Sequence, residues 1–354
     1  MCNPATGEFL SLGRDWPVGR IVDSSAYAVE RAVEPPIRIT VVLAAAGSKP
    51  CYGSSCHEWE ALKNAVSTAQ FKVTLQVFVC ADDLKQDIEN SSLPPNAIIQ
   101  EVRTVPRQED IQDLFNAIKG FGPNILHFFC HGSCTPSPHL ELASRADYTT
   151  GATDGSIDVY ARDLWDATGR DLEPHIWLVT LNCCQGAAPA ADAHSLASEL
   201  VEKGFPVVIG MRETVASIDA HAFCEAFYRA LLDVIKRYSL SGRIVSNVEW
   251  SQLMHEPRIR LRDRHLNGRP LTQAESESKE WTLPVIYIRN RDFKLRGHST
   301  NPSLSDKSKQ EDQAELDKLK EAKEQYDPNT TSLTVIQGIY SRIQELENEL
   351  YPYP

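Results

Sequence analysis

Two apolar runs in this chain end on chemically reactive side chains, and any fold has to accommodate both ends. Residues 124–134 read NILHFFCHGSC, and residues 175–187 read HIWLVTLNCCQGA. Runs of this length, rich in Val, Leu, Ile and aromatics, predict strands buried on both faces, as in a parallel sheet. The first run stops at His131-Gly132 and the second at Cys184-Gln185-Gly186. In an open parallel sheet, chemistry sits outside the carboxyl ends of the strands. One end offers an imidazole and the other a thiol, the pairing of a cysteine nucleophile with a histidine base.

The rest of the chain alternates strand and helix signals. Further buried strands are expected at 37–46, 71–80, 205–211 and 281–288, and another strand, at an edge of the sheet, at 96–105. Pro284 lies inside the 281–288 run, and a proline favours an edge position. Helices are expected at 54–69, where Trp59, Leu62, Ala65 and Val66 share a face, and at 107–121, 192–203, 218–238 and 244–264. Residues 132–174 form a longer excursion. It contains a short hairpin arm at 139–142, loop chemistry at 148–156 and a short helix at 159–168. An excursion at the carboxyl edge of a sheet is where a cleft is shaped. The alternation implies an α/β fold with a mostly parallel sheet sandwiched by helices.

Residues 1–34 have no clear period and end at Pro35-Pro36, so they read as an N-terminal extension on a main domain at 35–292. Residues 293–309 read as a linker and 310–354 as a C-terminal helical hairpin. Its second arm carries Leu333, Ile336, Ile339, Tyr340, Ile343, Leu346 and Leu350 at helical spacing. Docking on the body is favoured over docking on a partner.

Composition narrows the function. A net charge of -12 argues against nucleic acid as a partner. No apolar stretch approaches the ~20 residues that span a bilayer, so no membrane partner is expected. The first residues lack a basic region followed by an apolar one, so no signal peptide is expected. Nine cysteines without a regular framework fit free thiols in a cytoplasmic setting.

A thiol attacks only as thiolate, which requires a neighbouring imidazole and partial exposure. Adjacent strands lie about 4.8 Å apart, so His131 and Cys184, beyond the ends of neighbouring strands, can meet. Gly132 permits a tight turn, and its N–H together with that of Cys184 can form an oxyanion hole. The bland alternative is that a cysteine at a strand end is core. Strand alternation assigns that role to Cys183. A metal reading of His127, Cys130, His131 and Cys134 is the weaker alternative, because the set has no Cys-x-x-Cys pair and lies partly inside a strand. No cofactor is called for.

These motifs resemble the CHAT family of caspase-like peptidase domains. LHFFCHG at 126–132, LEL at 140–142 and LNCCQGA at 181–187 stand in the family's order. GFPVVIGM at 204–211, AFCEAFYRALL at 222–232 and WTLPVIY at 281–287 follow as its next elements, and the resemblance covers roughly residues 37–290. Cys184-Gln185-Gly186 also matches the end of the caspase nucleophile pattern, with the histidine 53 positions upstream, near the ~50 of caspases. The resemblance implies a caspase-haemoglobinase-like fold and cysteine endopeptidase activity. His131 is then general base and later acid, and Cys184 forms a thioester. It also implies a protein substrate and a regulatory protein partner in trans, docking on the N-terminal extension or the C-terminal helices. In bacteria such proteases act in defence or cell-death circuits. Where relatives carry Gln or an acid two residues before the cysteine, this chain has Asn182, which either lines a neutral pocket for the residue before the cut or caps the turn with its side chain. Arg212 and Glu213 are further pocket candidates. A catalytically silent docking module with the same fold is the alternative function.

Overall fold

The computed structural model describes residues 12, 18–45, 50–150, 157–169, 175–183, 195–241, 244–245, 247–266, 278–297, 313–321, 340, 342–343 and 346. A ten-stranded sheet runs through the centre. Its strands are β1 (Arg20–Val22), β3 (Ile37–Ala44), β4 (Val73–Val79), β5 (Ala97–Thr104), β6 (Ile125–Ser133), β7 (His139–Leu142), β8 (Ile157–Tyr160), β9 (Leu178–Leu181), β10 (Val207–Met211) and β12 (Pro284–Arg289). The main order is β1-β12-β10-β9-β6-β3-β4-β5, with β7 and β8 attached beyond β6. All neighbouring pairs along the main order are parallel except β10 with β12.

The burial of β3, β4, β6, β9 and β10 on both faces explains their continuous apolar sequences. One face is covered by α1 (Pro50–Ser67), α2 (Asp82–Glu89) and, further along the chain, a long helix at Ser217–Ser241. The other is covered by α3 (Ile111–Phe121) and a helix at Leu196–Lys203. With short helices α4 (Arg145–Thr150) and α5 (Ala161–Leu164) between them, these two are α6 (Leu196–Lys203) and α7 (Ser217–Ser241). Helices α8 (Asn247–Gln252) and α9 (His255–Arg264) follow, and α9 packs on α7. Each fully buried Val, Leu or Ile in these two layers contributes about 1.5–3 kcal/mol relative to an exposed one.

Local signals set the ends of two helices. Gly122 closes α3 in the left-handed region (φ 63°), its N–H donating to the Ile118 carbonyl. Gly204 closes α6 at φ 132°, where an added Cβ would lie 2.7 Å from the Trp165 ring. Ser195 caps α6 through its hydroxyl, which accepts from the Ser198 N–H.

The structure corrects several expectations. Residues 1–34 contribute two strands: β1 pairs with β12, and β2 (Val29–Val33) pairs with β13 (Phe293–Gly297) in a second, three-stranded sheet completed by β11 (Ile244–Val245). Residues 293–297 are therefore strand, although composition assigned them to the linker. Pro284 does not put β12 at the edge, because β1 covers it. The proline is the first residue of the strand, a position that tolerates it. Residues 148–150 are helical in α4, and Val159 and Tyr160 belong to β8, where a helix was expected. The edge position of β5 stands as expected. In the C-terminal segment, residues 313–321 are helical, and Leu316, Ile343 and Leu346 pack together while Arg342 pairs with Glu315 at 3.1 Å.

Candidate active site

Strands β6 and β9 are adjacent and parallel, and their register is fixed. Ile125 faces Leu178 and Phe128 faces Leu181, an offset of 53 residues at each pair. The Asn182 N–H continues the ladder to the Phe128 carbonyl at 2.9 Å. His131 and Cys184 are likewise 53 apart in sequence. His131 is half-buried near the end of β6. Cys184, with its own backbone N–H, lies outside the described residues.

Gly132 is also half-buried, but it does not make the tight turn expected. The β6 backbone stays extended through Ser133, and Gly132 stands opposite Leu140 of β7. The reason is the 139–142 arm. It gives β6 an antiparallel partner just beyond the point where its parallel neighbours end.

Alternation along the strands separates the thiols by face. Cys183 is 2% exposed and packs in the cluster with Leu181, Leu196 and Leu200, on the α3/α6 side. Cys130 belongs to the same cluster, whereas His127, three residues earlier, contacts α1 on the other side. The set His127, Cys130, His131 and Cys134 is thus split across the sheet and does not form one ligand shell. Cys56, Cys80, Cys130, Cys134, Cys183 and Cys224 carry no disulfide. Burial pushes the Cys56 thiol up, and burial together with Glu58 pushes Cys224 well up, the wrong direction for a nucleophile.

Asn182 does not line a pocket. It is 1% exposed, and its side-chain amide donates to Glu58 Oε1 at 2.6 Å and to the Ala220 carbonyl at 3.0 Å. Its side chain belongs to the interior because position 182 falls on the α1/α7 face, under two helices. Arg212 and Glu213 sit just past β10, partly exposed and 3.4 Å apart, and Glu213 also binds Lys279 at 2.6 Å. The Lys279 ammonium holds the Glu213 carboxyl below the usual range.

Sequence reasoning missed a buried carboxylate. Glu58 of α1 is fully buried. Besides Asn182, it accepts from His221 Nδ1 at 2.5 Å. The His127 Nε2 lies 3.0 Å from its Oε1, off the line of a good hydrogen bond, and the Cys224 thiol lies within 4.8 Å of the carboxylate. Burial alone would raise its pKa. Contacts with His127 and His221 outweigh that and hold it at about 2. Around this group, His127 stands edge-on to Tyr228 at 5.5 Å, and His221 contacts Phe129 at 5.3 Å and His57 at 5.9 Å. The signal was a stripe: Ser55, Glu58, Leu62 and Ala65 recur at helical spacing and all are buried.

Glu58, His127 and Cys224 present ligand atoms within 4.8 Å of one another, donor types that suit zinc. The carboxylate oxygens accept from Asn182 and His221, and burial beside Glu58 pushes the Cys224 thiol well up. In this state the cluster is a hydrogen-bonding hub rather than a formed ligand shell.

A family model described as CHAT domain matches residues 57–248, more than half of the 354 residues and spanning both strand ends. Among solved structures, the chain is similar to a chain of the Saccharomyces cerevisiae separase–securin complex. The two are 14% identical with a TM-score of 0.37, over 75% of this chain and 13% of that one. No curated protein matches. Among the described residues, no helix is long and apolar enough to cross a membrane.

Proposed function

Because the chain belongs to the CHAT family of caspase-like domains, we propose that it is a cysteine endopeptidase with Cys184 as nucleophile and His131 as general base. The observation that carries this reading is the shared offset: β6 and β9 are parallel neighbours registered 53 residues apart, the separation of His131 from Cys184. His131 takes the thiol proton, and the thiolate attacks the scissile carbonyl. The oxyanion is held by the N–H groups of Gly132 and Cys184. His131 then protonates the leaving amine, and water, deprotonated by His131, hydrolyses the thioester. Proteins are the substrates, and a regulatory protein acts in trans on the N-terminal strands or the C-terminal helices, in a defence or cell-death circuit.

The test is cleavage of a proteome-derived peptide library by the full chain. Cys184→Ala and His131→Ala are each expected to lower kcat/KM on the order of 10⁴-fold or more. Cys183→Ala is expected to leave it unchanged. Cleavage that survives Cys184→Ala overturns the assignment.

A further inference from the structure

The buried carboxylate of Glu58 stands directly behind the two strands that carry the dyad, and it binds both. Its Oε1 accepts from Asn182, two residues before Cys184, and lies 3.0 Å from His127, four residues before His131. Its Oε2 accepts from His221 of α7, and Asn182 also reaches the Ala220 carbonyl of α7. One carboxylate thus joins α1, β6, the exit of β9 and the first turns of α7. All of these groups except His221 are essentially inaccessible to solvent, and the His221 side chain is only 12% exposed.

This arrangement is costly unless the charge is used. An ionised carboxylate loses its hydration on burial and needs donors in return. An apolar side chain at position 58 would fill the same layer, as Leu62 does one turn later. What leucine cannot do is fix direction. Hydrogen bonds hold Asn182 and His221 along defined lines, whereas apolar contact lets strand ends slide. The opposite face of the same strands has that apolar kind of packing, with Leu126, Phe128, Leu181 and Cys183.

We infer that Glu58 is a positioning residue for the dyad: it clamps the ends of β6 and β9 at the spacing that brings His131 and Cys184 into reach. This rests on the endopeptidase reading above. The clamp acts through His127 and Asn182 and touches no substrate. Misplacement of reacting groups by about 1 Å costs on the order of 10²-fold in rate, so loosening it is felt in turnover rather than in binding.

The test compares the full-length wild type with Glu58→Gln and with Leu62→Ala, a core truncation on the same helix that leaves the carboxylate in place. Three quantities are read: kcat and KM on a cleaved peptide, the rate of Cys184 alkylation by iodoacetamide followed by mass spectrometry, and backbone amide exchange in peptides covering 125–133 and 178–183. Glu58→Gln is expected to lower kcat about tenfold or more with KM within about twofold. It is expected to speed exchange in both peptides and to slow alkylation. Leu62→Ala is expected to lower the unfolding midpoint while keeping kcat. If Glu58→Gln does not fold, Asn182→Ala removes a single donor and carries the same comparison; Leu62→Val replaces Leu62→Ala on the same grounds.

Unchanged kcat and exchange in Glu58→Gln overturn the inference, as does an equal loss of kcat in Leu62→Ala. Failure of the endopeptidase reading looks different. The wild type then neither cleaves peptides nor shows His131-dependent alkylation of Cys184, and the positioning role falls with it.

Discussion

The two faces of β6 and β9 are built on opposite principles. Towards α3 and α6 they present Leu126, Phe128, Cys130, Val179, Leu181 and Cys183, an apolar layer closed by close packing. Towards α1 and α7 they present Ile125, Phe129 and Leu178 but also His127, Thr180 and Asn182, and His127 and Asn182 gather with His221 and Cys224 at the Glu58 carboxylate. Both faces are equally dry. The difference is in what a change does. An apolar layer loses contacts in proportion to the atoms removed, whereas a polar hub is weakened whenever one member leaves, because the groups that faced it are then buried with a donor or acceptor unmatched.

The comparison breaks most readily at Glu58. Glu58→Leu keeps an apolar-sized side chain but strands His221, His127 and Asn182. It is expected to cost about 3–5 kcal/mol of stability, the range for removing one partner of a buried charged contact. Urea unfolding measures it. A neutral outcome would show that the polar face packs like the apolar one.

Acid tests the same charge without a substitution. Burial pushes the Glu58 carboxyl up, but the hydrogen bond from His221 and the neighbouring His127 imidazole outweigh it and hold the pKa at about 2, below its ordinary 4.5. A carboxyl depressed in the folded state stabilises the fold above its unfolded pKa, and that contribution disappears as pH falls through the folded value. The window is therefore from about pH 4.5 down to about 2, and the contribution is about 3 kcal/mol. Unfolding midpoints collected across that window should fall more steeply for the wild type than for Glu58→Leu. Parallel curves would mean that the carboxylate is no more stabilised than in the unfolded chain.

These faces were not equally legible in the sequence. Strands β3, β4, β6, β9 and β10 are buried on both sides, so their apolar runs announce them. The apolar side of β9 could be assigned by alternation, which placed Cys183 correctly. The polar side could not. A glutamate in a helix ordinarily faces water, and only the approach of α7 and β9 makes Glu58 interior. Asn182 was misread for the same reason, since its surroundings come from residues 38 and 124 positions away. Strands β1, β2 and β13 were missed because they are short and carry polar, exposed positions, and their pairing is made across the length of the chain. The proposed dyad rests on the sequence, where reactive residues stop two apolar runs 53 positions apart, the offset at which β6 and β9 are registered.

Asn182 sharpens the contrast further. Asn182→Ala removes the donor to Glu58 Oε1 and leaves the Ala220 carbonyl without it, at an expected cost of about 1.5–3 kcal/mol for a hydrogen bond to a charged group. Because the side chain is interior, the residue preferred before the cut should not change. Urea unfolding of this variant checks the first statement, and profiling the peptide library with it checks the second. A new preference at that position would return Asn182 to the substrate pocket.

The smallest effect is expected on the apolar face, immediately beside the proposed nucleophile. Cys183 contributes a small apolar volume among Leu181, Leu196 and Leu200, and it faces away from Glu58. Cys183→Ala removes one sulfur from that layer and orphans no donor, so the loss should be about 1 kcal/mol, the ordinary size of a point substitution. Cleavage should be unaffected, because the thiol packs on the side of the sheet opposite to the hub. Adjacent cysteines then divide cleanly by face: one change is felt only in the unfolding midpoint and the other only in turnover. If Cys183→Ala instead abolishes cleavage while leaving the midpoint unchanged, the division by face fails at the residue where strand alternation makes its sharpest claim.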